Sequence, residues 1–271
     1  MIAGIVAGGA HRRQSGTGWT PADLAPQLWL DDQSVVVISG SNLTSWRNRG
    51  SLAGSFSASG TAPSIITVGG IRVARFESAH MFASSELHSL ARGTPCAWIY
   101  AVYKKRGTDT SDINRPVLVG LTSGGGYLLG LAAGGNQSGA KNKPSTGGRR
   151  VDSGSYSGVN SERPIVGSTL QSYGQLDYEN RQISMRIQGA EAGSLSGAFD
   201  AAGNSAPSSL SSLRLGYDLG TYADVDLIAV LAGGTRLATE SVQKLEGWAA
   251  HRYGLAASLP NEHPYKSAPP A

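Results

Sequence analysis

Hydrophobic positions along this chain recur mostly with a period of two, in short runs cut by glycine and polar residues. Ile183, Met185 and Ile187 alternate with Ser184, Arg186 and Gln188, the pattern of a half-buried strand, and Gly189 turns it. Cys96–Lys104 and Val117–Leu121 read as inner strands, and Tyr127–Ala132 pairs with the second through Gly124–Gly126. Pro164–Leu170, Leu213–Tyr217 and Val225–Leu231 complete the later set. Earlier in the chain, Leu28–Asp31 and Leu43–Trp46 are short strands, the second ending at the polar corner Arg47–Gly50. The continuous β-branched run Val35–Ser39 predicts a strand buried on both faces. Ile65–Val68 and Ile71–Phe76 flank Gly69-Gly70, a two-residue hairpin signal.

The period changes only near the end. Val242, Leu245, Trp248 and Ala249 share one face of an amphipathic helix over 239–253, while Glu240, Gln243, Lys244 and Glu246 point elsewhere. Thr239 is the expected N-cap, and Gly254 supplies the left-handed residue that ends the helix. In the tail, 254–271, Leu255, Leu259 and Pro260 fold back, and the later prolines keep the chain extended. The pattern predicts an all-β, two-sheet antiparallel sandwich. Its lid is one C-terminal helix, whose Val242/Leu245/Trp248 face closes the sandwich core.

Composition narrows this picture. At 271 residues the sandwich, 19–271, is expected to be one domain, and glycine (37 residues) with 15% charged residues suits short strands with many turns. A single cysteine, Cys96, rules out an internal disulfide framework, and its apolar strand argues burial rather than reactivity. The net charge of +4 is too mild to imply nucleic acid, and no stretch is apolar for long enough to span a bilayer. Residues 1–18 form a leader, apolar at Ile2, Ile5 and Val6 and then rich in glycine. It reads either as a disordered leader or as an assembly peg that orders when a partner buries those three side chains.

The terminal run KLEGWAAHRYGL…LP…HPYKSAPP resembles the C-terminal signature of concanavalin A/laminin G-like domains, in the version found in structural proteins of tailed bacteriophages. The opening WTPADLAPQLWLDD…SGSNLTSWRNRG resembles the same group's start. The resemblance implies a concanavalin A-like jelly roll. It also implies a structural protein of the virion, associated with tail or baseplate and recognising host-surface polysaccharide. Other virion proteins and further copies of the chain would then be its partners. The alternative is a capsid-decorating protein that binds no receptor; a third reading is a carbohydrate-active enzyme or bacterial surface lectin.

Glucanases of this fold carry a strand-borne Glu-x-Asp-x-x-Glu, which this sequence lacks; Asp177-Tyr178-Glu179 is the nearest approach. The histidines show no metal-ligand spacing, so neither a catalytic constellation nor a cofactor is expected. Calcium, which laminin G-like domains often hold, would have Asp31, Asp32, Asp224 and Asp226 to use. Binding remains. The stretch 134–162 reads as a long irregular segment, and such segments are commonly functional. Its basic residues Lys141, Lys143, Arg149 and Arg150 would meet anionic polysaccharide or another virion surface. Tyr156, Asn160, Tyr173 and Tyr178, in or beside it, would form a sugar platform with an amide. The competing readings, a solvated flap and ordinary loop tyrosines, stand beside these.

Overall fold

The computed structural model describes residues 18–108, 117–123, 126–134, 141–162, 164–207, 212–218 and 221–271. Ile2, Ile5 and Val6 lie outside the described residues. Within them nineteen strands and one α-helix, α1 (Thr239–Arg252), build an all-β sandwich. In the first layer Ala190–Ser196, Gln182–Ile187, Thr169–Asp177, Cys96–Lys105 and Val225–Gly233 lie side by side, all antiparallel. The free side of Val225–Gly233 is shared by Leu28–Leu30 and Ile71–Phe76, and the latter pairs with Ser64–Val68. The second layer runs Val36–Ser39, Asn42–Arg47, Ser55–Ala58, Met81–Ala83, Ser212–Leu215, Val117–Ser123, Gly126–Ala132, Ser145–Gly148 and Ser157–Asn160. The layers join at a corner where Asn42 pairs with Ser64, so hydrogen bonding continues through seventeen strands folded over on themselves.

The inner strands are apolar on both faces, and their two faces belong to two different cores. Ala97, Ile99, Ala101 and Tyr103 point between the sheets, where they meet Leu30, Phe56, Leu131 and Leu213. Trp98, Tyr100 and Val102, the alternate positions, point outward under α1. Val225–Gly233 follows the same rule with one break. Leu227 faces inward, Ile228 and Ala229 both join the outer cluster, and Val230 faces inward again. A register shift between Leu227 and Ala229 accommodates the extra residue as a β-bulge.

The helix therefore seals the outer face of the first sheet, and the inter-sheet core closes without it. Val242, Leu245, Ala249 and Ala250 pack on Trp98, Tyr100 and Leu231. Trp248 is half-buried at the margin, edge-on to Trp29 (6.3 Å) and Tyr253 (5.8 Å). Trp46 is the one structural tryptophan of the sequence reading that sits in the inter-sheet core. The helix covers Thr239–Arg252, but its N-cap is Ala238, without a side-chain cap, and Thr239 is already helical. It ends as the sequence implies, with Gly254 at φ +72° and the Leu255 N–H donating to Ala250 O at 2.6 Å.

Glu246, expected to point away from the apolar face of the helix, is 1% exposed. Its carboxylate accepts from Arg186 Nε (2.8 Å) and Nη2 (3.1 Å), with His263 Nε2 at 3.2 Å. The reason is the tail, which returns across the helix and needs a polar anchor: His251 Nε2 meets Tyr265 O at 2.9 Å. Gly247 permits that approach, because a Cβ there would lie 2.4 Å from Tyr265 Cβ.

Two further expectations change. The Val36–Ser39 strand is an edge, not an interior: Val35 is 63% and Val37 57% exposed, and among the described residues only Asn42–Arg47 pairs with it. The stretch 134–162 is not irregular throughout, since Ser145–Gly148 and Ser157–Asn160 pair with each other and extend the second sheet. Small residues are required there. A Cβ on Gly148 would lie 2.1 Å from Leu128 O, and one on Gly174 would lie 2.2 Å from Thr146 Oγ1 across the sandwich.

Leu245, fully buried, should lose about 2–5 kcal/mol on Leu245→Ala, and the half-buried Trp248 less on Trp248→Ala. Urea unfolding of both variants checks the order; the reverse order would make the margin, not the helix centre, the main contact. Arg186→Met leaves the buried Glu246 carboxylate with His263 as its remaining partner and should cost about 3–5 kcal/mol in the same assay. A loss below about 1 kcal/mol would show that the Glu246 cluster does not hold the tail.

Candidate functional site

The residues proposed from sequence as a binding set are not brought together. Lys141 and Tyr156 are exposed, whereas Lys143, Arg150 and Asn160 are half-buried. Arg149 is buried, its Nη1 donating to Asp152 O at 2.5 Å, and Arg150 Nη1 donates to Asn204 O at 3.0 Å. Both guanidinium groups thus tie the sheet edge to neighbouring backbone. Tyr178 is 1% exposed: its hydroxyl donates to Leu128 O at 3.1 Å and its ring lies 5.0 Å from Phe199. Tyr173 is buried on the helix side and donates to Gln175 Oε1 at 2.7 Å. Neither tyrosine can serve as a surface platform, because both belong to the doubly covered Thr169–Asp177 strand or the turn that ends it.

The acids are engaged as well. Asp177 and Glu179 share one arginine, Arg236, at 2.7 and 3.1 Å. Asp31 pairs with Arg49 and Asp32 with Arg252, each at 2.7 Å. Asp226 pairs with Arg75 at 2.7 Å, and Asp224 with Arg106 at 3.5 Å. Among the described residues no group of three or more His, Cys, Asp or Glu is arranged to hold a metal. Burial pushes the Cys96 thiol up to about 12, with Asp177 nearby acting in the same direction, so it is not a thiolate at neutral pH.

A different cluster does form a face. In the second sheet Phe82 stands opposite Arg214 in register, and the flanking Met81, Leu213 and Leu215 are buried. Period-two alternation therefore puts Phe82 and Arg214 on the outer surface together. Gly216 then turns the chain at φ +76°; a Cβ there would lie 2.3 Å from Phe76 Cδ1, so only glycine fits. This turn delivers Tyr217 into a two-stranded ribbon, Tyr217–Asp218 with Thr221–Tyr222, in which Tyr217 and Tyr222 are directly opposed. Ahead of the Met81–Ala83 strand, His80 joins them.

The rings are in mutual contact. His80 lies 5.0 Å from Phe82, 5.0 Å from Tyr217 and 5.6 Å from Tyr222, and Tyr217 lies 5.1 Å from Tyr222. The Arg214 guanidinium carbon sits 5.5 Å from the Phe82 centroid and 5.6 Å from that of Tyr217. Tyr222 is 41% exposed, and His80, Phe82, Tyr217 and Arg214 are half-buried. Burial, and then the Arg214 charge, hold His80 below its usual 6.5 and favour its neutral form. Glu77 and Asp224 both contact Arg106. The arrangement can stack flat, partly apolar molecules and offer them a cation; it holds no nucleophile–base pair.

Sequence reading passed over this face. Its signals were present as an alternating His80-x-Phe82 and as tyrosines either side of a turn, but the four elements converge only through sheet pairing.

Compared by sequence, the chain matches no family model and no curated protein. Compared by structure, it is similar to the botulinum neurotoxin serotype G binding domain: TM-score 0.59 and 11% identity over 82% of this chain and 50% of that one. It is also similar to the binding domain of Paraclostridial Mosquitocidal Protein 1, with TM-score 0.59 and 9% identity over 82% and 52%. A structure concerning the ganglioside-dependent cell entry of botulinum neurotoxin type C gives TM-score 0.56 and 8% identity over 84% and 52%. The chain spans about half the length of these solved structures. At such identities the likeness is one of fold, and the class it defines is the all-β sandwich.

His80 gives a pH prediction. With its folded value lowered, its contribution to stability is complete above pH 6.5 and is lost as the pH falls from there through the folded value. Wild type should therefore lose melting temperature relative to His80→Gln between pH 7.5 and 5. A pH-independent difference between the two melting curves would contradict the buried, neutral assignment.

Proposed function

We propose that this chain is a non-enzymatic glycan-recognition domain of a tailed-bacteriophage virion protein, carried at the tail or baseplate and directed at host-surface polysaccharide. The observation that carries the binding reading is the exposed aromatic face of His80, Phe82, Tyr217 and Tyr222 around Arg214. The C–H-rich faces of pyranose rings stack on aromatic rings, and a few polar groups beside the stack fix orientation. The fold is in keeping with this: the type C neurotoxin structure concerns entry dependent on two ganglioside molecules. The virion setting draws its support from the terminal motifs KLEGWAAHRYGL and HPYKSAPP, and with it come other virion proteins and further copies of the chain as partners. The non-enzymatic reading draws on the missing Glu-x-Asp-x-x-Glu run and on the pairing of both Asp177 and Glu179 with Arg236, which favours their charged forms over a protonated general acid.

A second reading, a capsid-decorating protein that binds no receptor, draws on the exposed Val36–Ser39 edge, a surface suited to assembly. Fractionation of virions into tails and capsids separates the two settings.

On an array of bacterial surface polysaccharides the protein should bind a defined subset. Tyr217→Ala and Tyr222→Ala should each weaken that binding about tenfold, the equivalent of about 1.4 kcal/mol for one lost stacking partner. Tyr156→Ala should leave it unchanged. If Tyr156→Ala abolishes binding and the Tyr217 and Tyr222 variants do not, the site is the 134–162 segment instead.

A further inference from the structure

We infer that the aromatic face selects anionic glycans, with Arg214 as the residue that reads a carboxylate or phosphate on the sugar. This inference rests on the glycan reading and names the substrate class of that same site.

The case turns on what Arg214 lacks. Five arginines of this protein are matched to acids, Arg49 to Asp31, Arg75 to Asp226, Arg186 to Glu246, Arg236 to Asp177 and Arg252 to Asp32, all within 2.8 Å, and Arg72, Arg149, Arg150 and Arg181 donate to backbone carbonyls. Arg106, beside the face, holds Glu77 at 3.1 Å and Asp224 at 3.5 Å. Arg214 has no carboxylate partner among the described residues. Its Nε donates to Ser212 Oγ at 2.7 Å, which fixes the plane of the guanidinium and leaves Nη1 and Nη2 for another acceptor. Phe82 and Tyr217 flank the group at 5.5 and 5.6 Å.

A guanidinium held this way is organised before any ligand arrives. Its planar fork matches the two oxygens of a carboxylate or phosphate, and the rings around it lower the local dielectric, which strengthens a charge-assisted contact. Two of the acids near it, Glu77 and Asp224, are both in contact with Arg106. His80 is held toward neutrality by burial and by the same Arg214 charge, so the histidine donates or accepts without adding a second cation. A sugar stacked on Tyr217 and Tyr222 with an acidic substituent over Arg214 would use every part of the face. A neutral sugar would leave the guanidinium without its acceptor.

The test uses three soluble polymers with the full chain: oligogalacturonate, the same material carboxyl-reduced to neutral galactose units, and poly(glycerol phosphate). Binding is measured by calorimetry at low and moderate salt. The expected result is tighter binding of at least one anionic polymer than of the reduced one, on the order of tenfold and shrinking with salt. Preference for the uronate or for the phosphate polymer tells which anion is the natural one. Arg214→Gln, with an unchanged melting temperature as the folding control, should abolish the preference, and Arg214→Lys should retain part of it. Equal binding of the oxidised and reduced polymers, or a preference that survives Arg214→Gln, overturns the anionic assignment and leaves glycan binding standing. Binding confined to neutral glycans on the array has the same consequence. Failure to bind any glycan, anionic or neutral, overturns both.

Discussion

Trp98, Tyr100 and Val102 alternate with Ile99, Ala101 and Tyr103 along one strand, and both sets are buried. A strand of this kind has no polar face to offer water, so it must be covered twice. Each large apolar side chain withdrawn from water contributes about 1.5–3 kcal/mol, and leaving either face open would forfeit several of them. Val225–Gly233 and Thr169–Asp177, its neighbours, share the demand in whole or in part. The second sheet meets it on one side, and α1 with its tail on the other. The bulge at Ile228 lets Val225–Gly233 serve both cores while keeping register with Cys96–Lys105.

The outer cover is held by polar as well as apolar contacts. Val242, Leu245 and Ala249 supply the area, and the Glu246–Arg186–His263 cluster fixes the helix and the returning tail to Gln182–Ile187. Arg186 belongs to the first sheet and His263 to the tail, so a single carboxylate joins three segments far apart in sequence. With the first sheet secured behind, the second sheet is left to present its own outer surface at Phe82 and Arg214. The aromatic face is a by-product of period-two alternation in a sheet whose other side is core.

Legibility in the sequence followed how far each residue's role depends on its neighbours in the chain. The Gln182–Ile187 strand, the double apolarity of Cys96–Lys105 and the Gly254 stop were readable, because each is a local pattern. Glu246 falls off the apolar face of the helix by spacing, and nothing local reveals Arg186 sixty residues away. Val35–Ser39 has the composition of an interior strand, but its position in the sheet order makes it an edge. Ser145–Gly148 and Ser157–Asn160 were missed for the opposite reason: close packing there demands glycine and serine, which carry little strand propensity. Tyr178 looked like a surface aromatic by its polar neighbours and lies instead against Phe199 in the core.

The aromatic face is nonlocal in the same sense, assembled from residues 80, 82, 214, 217 and 222 by pairing and by one obligatory glycine turn. That this face, and no other, meets the ligand is the centre of the account. Aromatic ¹H–¹³C NMR spectra recorded while an array-identified oligosaccharide is titrated in test it most directly. The ring signals of Tyr217, Tyr222, Phe82 and His80 should shift together along one saturating curve, while those of Tyr156 stay in place. A saturating shift at Tyr156, with the four rings of the face unmoved, would contradict it.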